Sequence, residues 1–318
     1  MDVSEQELLV AIRRVLSGAG PDVVVGVGDD AAVVAPGSGQ LVLTTDALVE
    51  GSHFSRSTAS ARDIGYKAVA VNVSDIAAMG ASPRYALCAL TLSEAVDGAW
   101  VMELFGGMRE ACDEFALTLV GGNLARGPEV TVAVTVTGEV APGRAITRAG
   151  ARPGDLIVVT GTLGASAAGL RLAAGRTPPT EEERAAIVRH LRPTPRVGEA
   201  GVLARSGATA MIDVSDGLAL DLSRLCAASG LGARVRLADV PVGPAATLEE
   251  ALGGGEDYEL LAALADGPAV AAAREELAEG FGVTLTDIGA FTATPGMVAV
   301  DAAGHEAPLL PTGWDHFA

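Results

Sequence analysis

The sequence predicts an α+β fold in two halves. Strand-like and helix-like segments mix without a strict βαβ rhythm. Apolar residues recur at helical spacing in some segments and alternate with polar ones in others. A Pro/Gly/Arg-rich stretch, Ala141-Pro-Gly-Arg144 and then Arg152-Pro-Gly-Asp155, breaks the pattern near the middle of the 318-residue chain and marks a junction. The expected domains are therefore 1–142 and 143–318. With 49% hydrophobic residues, each has enough apolar material for its own core.

Each element follows from its local pattern. Residues 4–17 read as an amphipathic helix, with Leu8, Leu9, Ile12 and Leu16 on one face. Strands are expected at 23–27 and 41–45. Residues 62–80 form a helix rich in small apolar residues, starting near Asp63 and ending at Gly80. A strand at 85–92, a helix at 99–114 and strands at 117–120 and 130–140 follow. The last alternates Thr and Val as a half-buried strand does. Beyond the junction the pattern gives a strand at 156–160, helices at 166–174 and 180–191, a short strand at 210–213 running into a helix at 218–228, strands at 258–264 and 284–290, and a helix near 268–279. No low-complexity segment or short-period repeat is present.

Composition excludes several classes of function. The net charge of −18 repels nucleic acid and anionic membranes. It also repels a polyphosphate, so a nucleotide would need divalent cations to bridge carboxylate to phosphate. No apolar run is long enough to span a bilayer. The acidic N-terminus is unlike a signal peptide, which sets the cytoplasm as the expected location. Cys88, Cys112 and Cys226 have no metal-type spacing and read as reduced core residues. Lys67 is the only lysine, which suggests either a need for a compact ammonium at that point or an accident of composition.

No P-loop, dinucleotide-binding glycine run or nucleophile elbow occurs. Instead, acids sit beside glycine or small polar residues at element ends: Gly26-Val-Gly-Asp-Asp30, Thr44-Thr-Asp46, Asn72-Val-Ser-Asp75, Asp213-Val-Ser-Asp-Gly217 and Gly253-Gly-Gly-Glu-Asp257. Any one of these alone fits a turn or a helix cap. Together they suit magnesium, which takes hard oxygen ligands from a few carboxylates, waters and phosphates. Asp213 and Asp216 span a strand-to-helix turn, which is expected to leave helix N–H groups facing a phosphate.

These clusters, in this order, resemble the thiamine-monophosphate kinase family, part of an ATP-binding superfamily with aminoimidazole ribonucleotide synthetase and selenophosphate synthetase. The matching stretches are GVGDDAAV (26–33), TTDALVEGSHF (44–54), YKAVAVNVSDIAAMGASP (66–83), TRAGARPGD (147–155), TGTLGASAAGL (160–170), RPTPRV (192–197), MIDVSDGLALDL (211–222), GGGEDYELL (253–261) and the terminal WDHF (314–317). The small-residue helix is shared across the superfamily, whereas the 44–54 run and WDHF point to the kinase.

The resemblance implies that Asp30, Asp46, Asp75, Asp213 and Asp216 bind magnesium, with an oxygen from Thr45. It implies that Gly121, Gly122, Arg148 and Ser215 contact ATP. His53, Glu256 and Trp314 match positions that touch thiamine monophosphate, whose cationic thiazolium suits an aromatic face and a carboxylate. The family usually has Asp where this chain has Asn123, which offers a carbonyl oxygen without charge and is kept as a candidate ligand. The resemblance also implies a ferredoxin-like-type N-terminal domain pairing into a dimer barrel, with ATP at or near the interface of the homodimer, and a C-terminal α/β sandwich-type domain completing the site.

The expected reaction is direct, in-line transfer of the ATP γ-phosphoryl group to thiamine monophosphate, with several magnesium ions and no covalent phosphoenzyme. Two rivals stand beside it. One is a sister ATP enzyme of the aminoimidazole ribonucleotide synthetase kind. The other is an acidic divalent-cation-binding protein without activity. Selenophosphate synthesis fits less well, because a reactive cysteine is expected near the N-terminus and the first here is Cys88.

Overall fold

A computed structural model describes residues 5–16, 22–26, 31–175 and 178–314. The chain divides into two units, residues 1–76 with 81–143 and residues 77–80 with 144–318.

The first unit runs α1 (Glu5–Val15), β1 (Val23–Val25), β2 (Val33–Val34), β3 (Gln40–Val49), α2 (Ala61–Ala78), β4 (Ser82–Leu92), α3 (Gly98–Glu114), β5 (Thr118–Arg126) and β6 (Thr131–Val140). Strands β1 and β2 form a small antiparallel ribbon. The main sheet has the order β3-β6-β4-β5, antiparallel except for the β4–β5 pair. This corrects the ferredoxin-like expectation. That fold is β-α-β-β-α-β, whereas here α3 crosses over between two parallel neighbours and the last two strands follow in succession.

Alternation along the strands decides which face is covered. Val132, Val134 and Val136 of β6 and Ala86, Cys88 and Leu90 of β4 are buried on the side that carries α2. Leu41, Leu43 and Leu87 stand on the other side and are exposed.

Helix α2 lacks a polar face because almost every side is buried, Lys67, Asn72 and Ser74 included. Its start is capped by Ser60, whose Oγ accepts from the Asp63 N–H at 3.2 Å. Close packing on α3 explains the small residues. A Cβ at Gly65 would lie 1.9 Å from the Leu104 carbonyl oxygen, and one at Gly107 would lie 1.8 Å from that of Arg62. The two backbones therefore touch through reciprocal glycines.

The second unit runs β7 (Leu156–Thr160), α4 (Ala165–Ala173), α5 (Glu181–Leu191), α6 (Val197–Arg205), β8 (Ala210–Asp213), α7 (Leu218–Ser229), β9 (Gly232–Arg236), α8 (Leu248–Gly253), β10 (Leu260–Leu264), α9 (Pro268–Phe281), β11 (Leu285–Thr292), β12 (Gly296–Val300) and β13 (Glu306–Pro308). Seven strands form a mixed sheet in the order β13-β12-β9-β11-β7-β10-β8. Two apolar cores lie on its two faces. Ile157, Val159, Ile212 and Leu261 pack with Leu222 and Leu225 of α7 on one face. Val158, Met211, Leu260 and Ala262 pack with Leu203 of α6 and Leu277 of α9 on the other. Burial on both sides is why β7 and β10 are continuous apolar runs.

The strands and helices expected from the sequence are present, with ends shifted by a few residues or, in β3 and β5, with the strand running well past the expected end. Strands β2, β9, β12 and β13 and helices α6 and α8 were not anticipated. The cysteines are free and buried, and burial pushes Cys88 and Cys112 up to about 12 and Cys226 up to about 11.

Candidate active site

In the first unit a threonine ties the α2 acid to the sheet. Thr44 on edge strand β3 donates from Oγ1 to Asp75 Oδ2 of α2 at 2.5 Å. Asp46, two residues along, stands on the same side of the sheet. Asp46 and Asp75 thus share one sheet face.

Thr45 points the other way. Its hydroxyl donates to the Val134 carbonyl at 3.1 Å and accepts from Thr135 Oγ1 at 3.0 Å. Its side chain is therefore separated from Asp46 by the sheet.

Gly121, Gly122 and Asn123 lie on β5, the opposite edge strand, on the same rungs as Thr45, Asp46 and Ala47. Three strand spacings put the two edges roughly 14 Å apart. Gly122 is required by space, since a Cβ would fall 1.9 Å from the Cys88 carbonyl oxygen. Asn123 pairs with Ala89 and lies on the open face with Thr45. The sheet therefore does not bring Asn123 to Asp46 and Asp75.

His53 closes the turn after β3. Its Nδ1 accepts the Val49 N–H at 3.1 Å, so the neutral ring carries its proton on Nε2. Lys67 is 3% exposed, inside α2. Asp30 lies outside the described residues, as do the last residues of the WDHF motif.

In the second unit the motifs converge at one end of the sheet. Asp213 ends β8, and the Asp213–Gly217 turn leads into α7. Glu256 N–H donates to the Ser215 carbonyl at 2.7 Å, Tyr258 N–H to that of Val214 at 2.9 Å, and Trp314 N–H to that of Asp216 at 2.9 Å. Asp213, Ser215, Asp216, Glu256 and Trp314 are thereby gathered, with the Trp314 side of the tail half-exposed beside Asp216. Glycines make the approach possible. A Cβ at Gly255 would lie 2.8 Å from the Ser215 carbonyl oxygen, and one at Gly313 2.6 Å from that of Asp216. Arg148 is not among this group. Its carbonyl accepts from Ser229 Oγ at the far end of α7, at 3.3 Å.

One expectation is overturned. The N–H groups of Ser215, Asp216 and Gly217 do not face an open phosphate site. All donate to Asp221 Oδ2, at 3.1, 3.0 and 3.1 Å. Orphan donors at a helix start demand an acceptor, and this helix supplies one from its own first turn. Burial pushes the Asp221 carboxyl above its ordinary value, with those hydrogen bonds and Arg224 opposing the shift. Arg224 bridges Asp221 Oδ1 at 2.5 Å and Asp216 Oδ2 at 2.6 Å. Asp221 and Arg224 were missed, although an acid in the first helical turn is a visible capping signal.

Among the described residues, no group of three or more His, Cys, Asp or Glu side chains is placed to hold a metal ion. No helix among them is long and apolar enough to cross a membrane.

Comparison with known proteins gives these motifs a family. Residues 28–140 match the N-terminal domain of AIR synthase related proteins, and residues 152–302 match the C-terminal domain. Two units of this kind, each carrying acidic motifs at its sheet, define a member of the AIR synthase-related class. The thiamine-monophosphate kinase of Escherichia coli K12 is 41% identical over 309 residues, covering 93% of each chain. The crystal structure of the enzyme from Stenotrophomonas maltophilia superposes with a TM-score of 0.84 at 37% identity, covering 96% of this chain and 99% of that one. The structure of AaThiL complexed with AMPPCP and TMP superposes with a TM-score of 0.77 at 33% identity, covering 100% and 99%. Within the AIR synthase-related class, the chain belongs to the thiamine-monophosphate kinase family.

Proposed function

We propose that the chain carries out its family's reaction, ATP-dependent phosphorylation of thiamine monophosphate, by direct in-line transfer at a site completed by magnesium. The observation that carries this reading is the gathering of Asp213, Ser215, Asp216, Glu256 and Trp314 at one sheet end, in a chain 41% identical to a named kinase.

The donor set fits magnesium. Asp46 and Asp75 on one sheet face, with Asp213, Asp216 and Asp30, offer hard carboxylate oxygens and no sulfur. Asp30, Asp46, Asp75, Asp213 and Asp216 would hold the magnesium, which would supply positive charge against the repulsion between two anionic substrates. The chain's own residues then hold the partners in line. Ser215, Arg148 and the backbone of Gly121 and Gly122 position ATP. Trp314 and Glu256 suit a thiazolium, one by its π-face and the other by its charge. His53, with Nδ1 held by the backbone, sits at the turn after β3 where the resemblance places a substrate contact. The acceptor phosphate is already an anion, so no strong general base is needed.

In this reading the domain over 1–142 binds nucleotide and metal and mediates dimerisation, and that over 143–318 completes the site. The open face of the first sheet supports a homodimer, since Leu41, Leu43 and Leu87 are exposed there. Thr45 and Asn123 share that face, which fits an ATP and metal site near the interface.

The test is incubation with ATP, magnesium and thiamine monophosphate. Thiamine diphosphate and ADP should appear in equal amounts, with no labelled protein from γ-labelled ATP alone. Replacing Asp46 by Asn should lower kcat by about 100-fold or more with the melting temperature unchanged. ATP consumption with formylglycinamidine ribonucleotide but not with thiamine monophosphate would replace this reading with that of the sister synthetase.

A further inference from the structure

Beneath the Glu256 loop lies a buried polar cluster that the reaction described above does not use. Glu256 and Tyr258 are non-glycine residues with φ of +67° and +52°, in the left-handed region. Side chains rarely adopt that conformation, and it persists only where surroundings impose it.

Here the constraints come from three directions. The Asp213–Gly217 turn accepts the N–H groups of Glu256 and Tyr258. Asp257, between them, turns its buried carboxylate down onto the start of α4, accepting from the N–H groups of Gly164 at 2.6 Å and Ser166 at 3.2 Å. The third direction is α5. Its last turn delivers Arg189 to Glu259, which is fully buried. It also delivers His190, itself 6% exposed, whose Nδ1 lies 3.3 Å from Glu256 Oε2 and 3.1 Å from Ser166 Oγ. Gly169 on α4 makes this approach possible, since a Cβ there would fall 2.2 Å from the Ala186 carbonyl oxygen and 2.9 Å from His190 Cβ.

With a hydrogen on Nδ1, the ring attracts the Glu256 carboxylate rather than repelling it. Ser166 Oγ then serves as a second acceptor that keeps the ring turned toward Glu256. We propose that His190 is a positioning residue. Its Nδ1–H fixes the Glu256 carboxylate in the orientation that receives the cationic part of the substrate, and the α4–α5 hairpin sets substrate affinity from below the loop. This rests on the reading that Glu256 binds thiamine monophosphate.

The experiment uses the full-length enzyme and steady-state kinetics with each substrate varied in turn. His190→Leu should raise KM for thiamine monophosphate about tenfold, the loss of one hydrogen bond to a charged group, while KM for ATP changes less than about twofold. His190→Asn, whose amide can donate from nearly the same place, should recover affinity to within about threefold of wild type. Added to Glu256→Gln, His190→Leu should raise KM no further, because the group it positions has lost its charge.

Glu256→Gln alone tests the substrate role on which the inference rests. An unchanged KM for thiamine monophosphate in that variant would overturn that role and, with it, the positioning. If Glu256→Gln weakens substrate binding but a folded His190→Leu enzyme, judged by an unchanged melting temperature, binds it normally, the positioning role alone is overturned. Equal rises in both KM values, or no recovery in His190→Asn, would overturn it as well, since a purely structural role predicts those outcomes.

Discussion

Asp216 reaches its place already engaged. Arg224 holds one of its oxygens while also gripping Asp221, so a cation arriving at Asp216 must share it with a guanidinium. The sequence displays the two acids of the turn but not this arrangement, because Arg224 reaches them only once α7 has folded. Asp257 shows the same limit. In the sequence it is one more acid in a glycine-rich turn, whereas in the fold burial pushes its carboxyl up to about 7 from 3.8, against the two backbone N–H groups that favour its charged form. The sign of the consequence is set by that direction. A carboxyl whose folded pKa is raised contributes stability that is full below about 4 and lost as pH rises to about 7. The melting temperature of Asp257→Asn should therefore fall less steeply than that of the wild type across this interval, although the variant starts lower because an amide cannot accept both N–H groups. Melting curves at half-unit pH steps check this, and parallel wild-type and variant profiles would refute it.

Elements were legible wherever one pattern dominated. The alternating Thr/Val run of β6 and the apolar stretches of β7 and β10 identified themselves, and the small-residue run became α2. What that run could not disclose is its neighbour. Gly65 and Gly107 are far apart in sequence, and only the fold shows each meeting the other helix's carbonyl. The elements not anticipated are short or sit where burial is partial. Strand β9 carries two arginines, and β12 and β13 form the edge of the sheet. Helix α8 did carry a signal, since Thr247 and Glu250 form a capping box, but its six residues are too few for a periodic pattern. The helix contact itself gives a prediction. Gly107→Ala places a methyl group against the Arg62 carbonyl and forces α2 and α3 apart, which should cost about 1–3 kcal/mol, as overpacking does. Denaturant unfolding checks it, and Gly280→Ala on α9, where nothing lies within 4 Å of an added Cβ, controls for the replacement of a helical glycine.

At the scale of the whole molecule, two properties pull against each other. A net charge of −18 keeps copies of the chain apart, while the open face of the first sheet offers them a place to meet. That face alternates correctly for a sheet with one side still to be covered. Leu41 and Leu43 on β3 are 67% and 63% exposed and Leu87 on β4 is 45% exposed, with Thr45, Thr135 and Ala89 between them on the paired strands. Leaving apolar side chains of this size in water forfeits about 1.5–3 kcal/mol each relative to burial, and a second copy of the same face covers them without introducing charge at the centre. Added salt should therefore tighten the proposed dimer by screening the repulsion between like-charged chains, the reverse of what an ion-paired interface shows. Replacing both Leu43 and Leu87 by Glu should shift the sedimenting species from about twice the 31.9 kDa chain mass to the chain mass itself. Neither side chain supports the covered core, so far-ultraviolet circular dichroism should stay unchanged. A wild-type chain that sediments at 31.9 kDa at micromolar concentration would remove the case for pairing through this face.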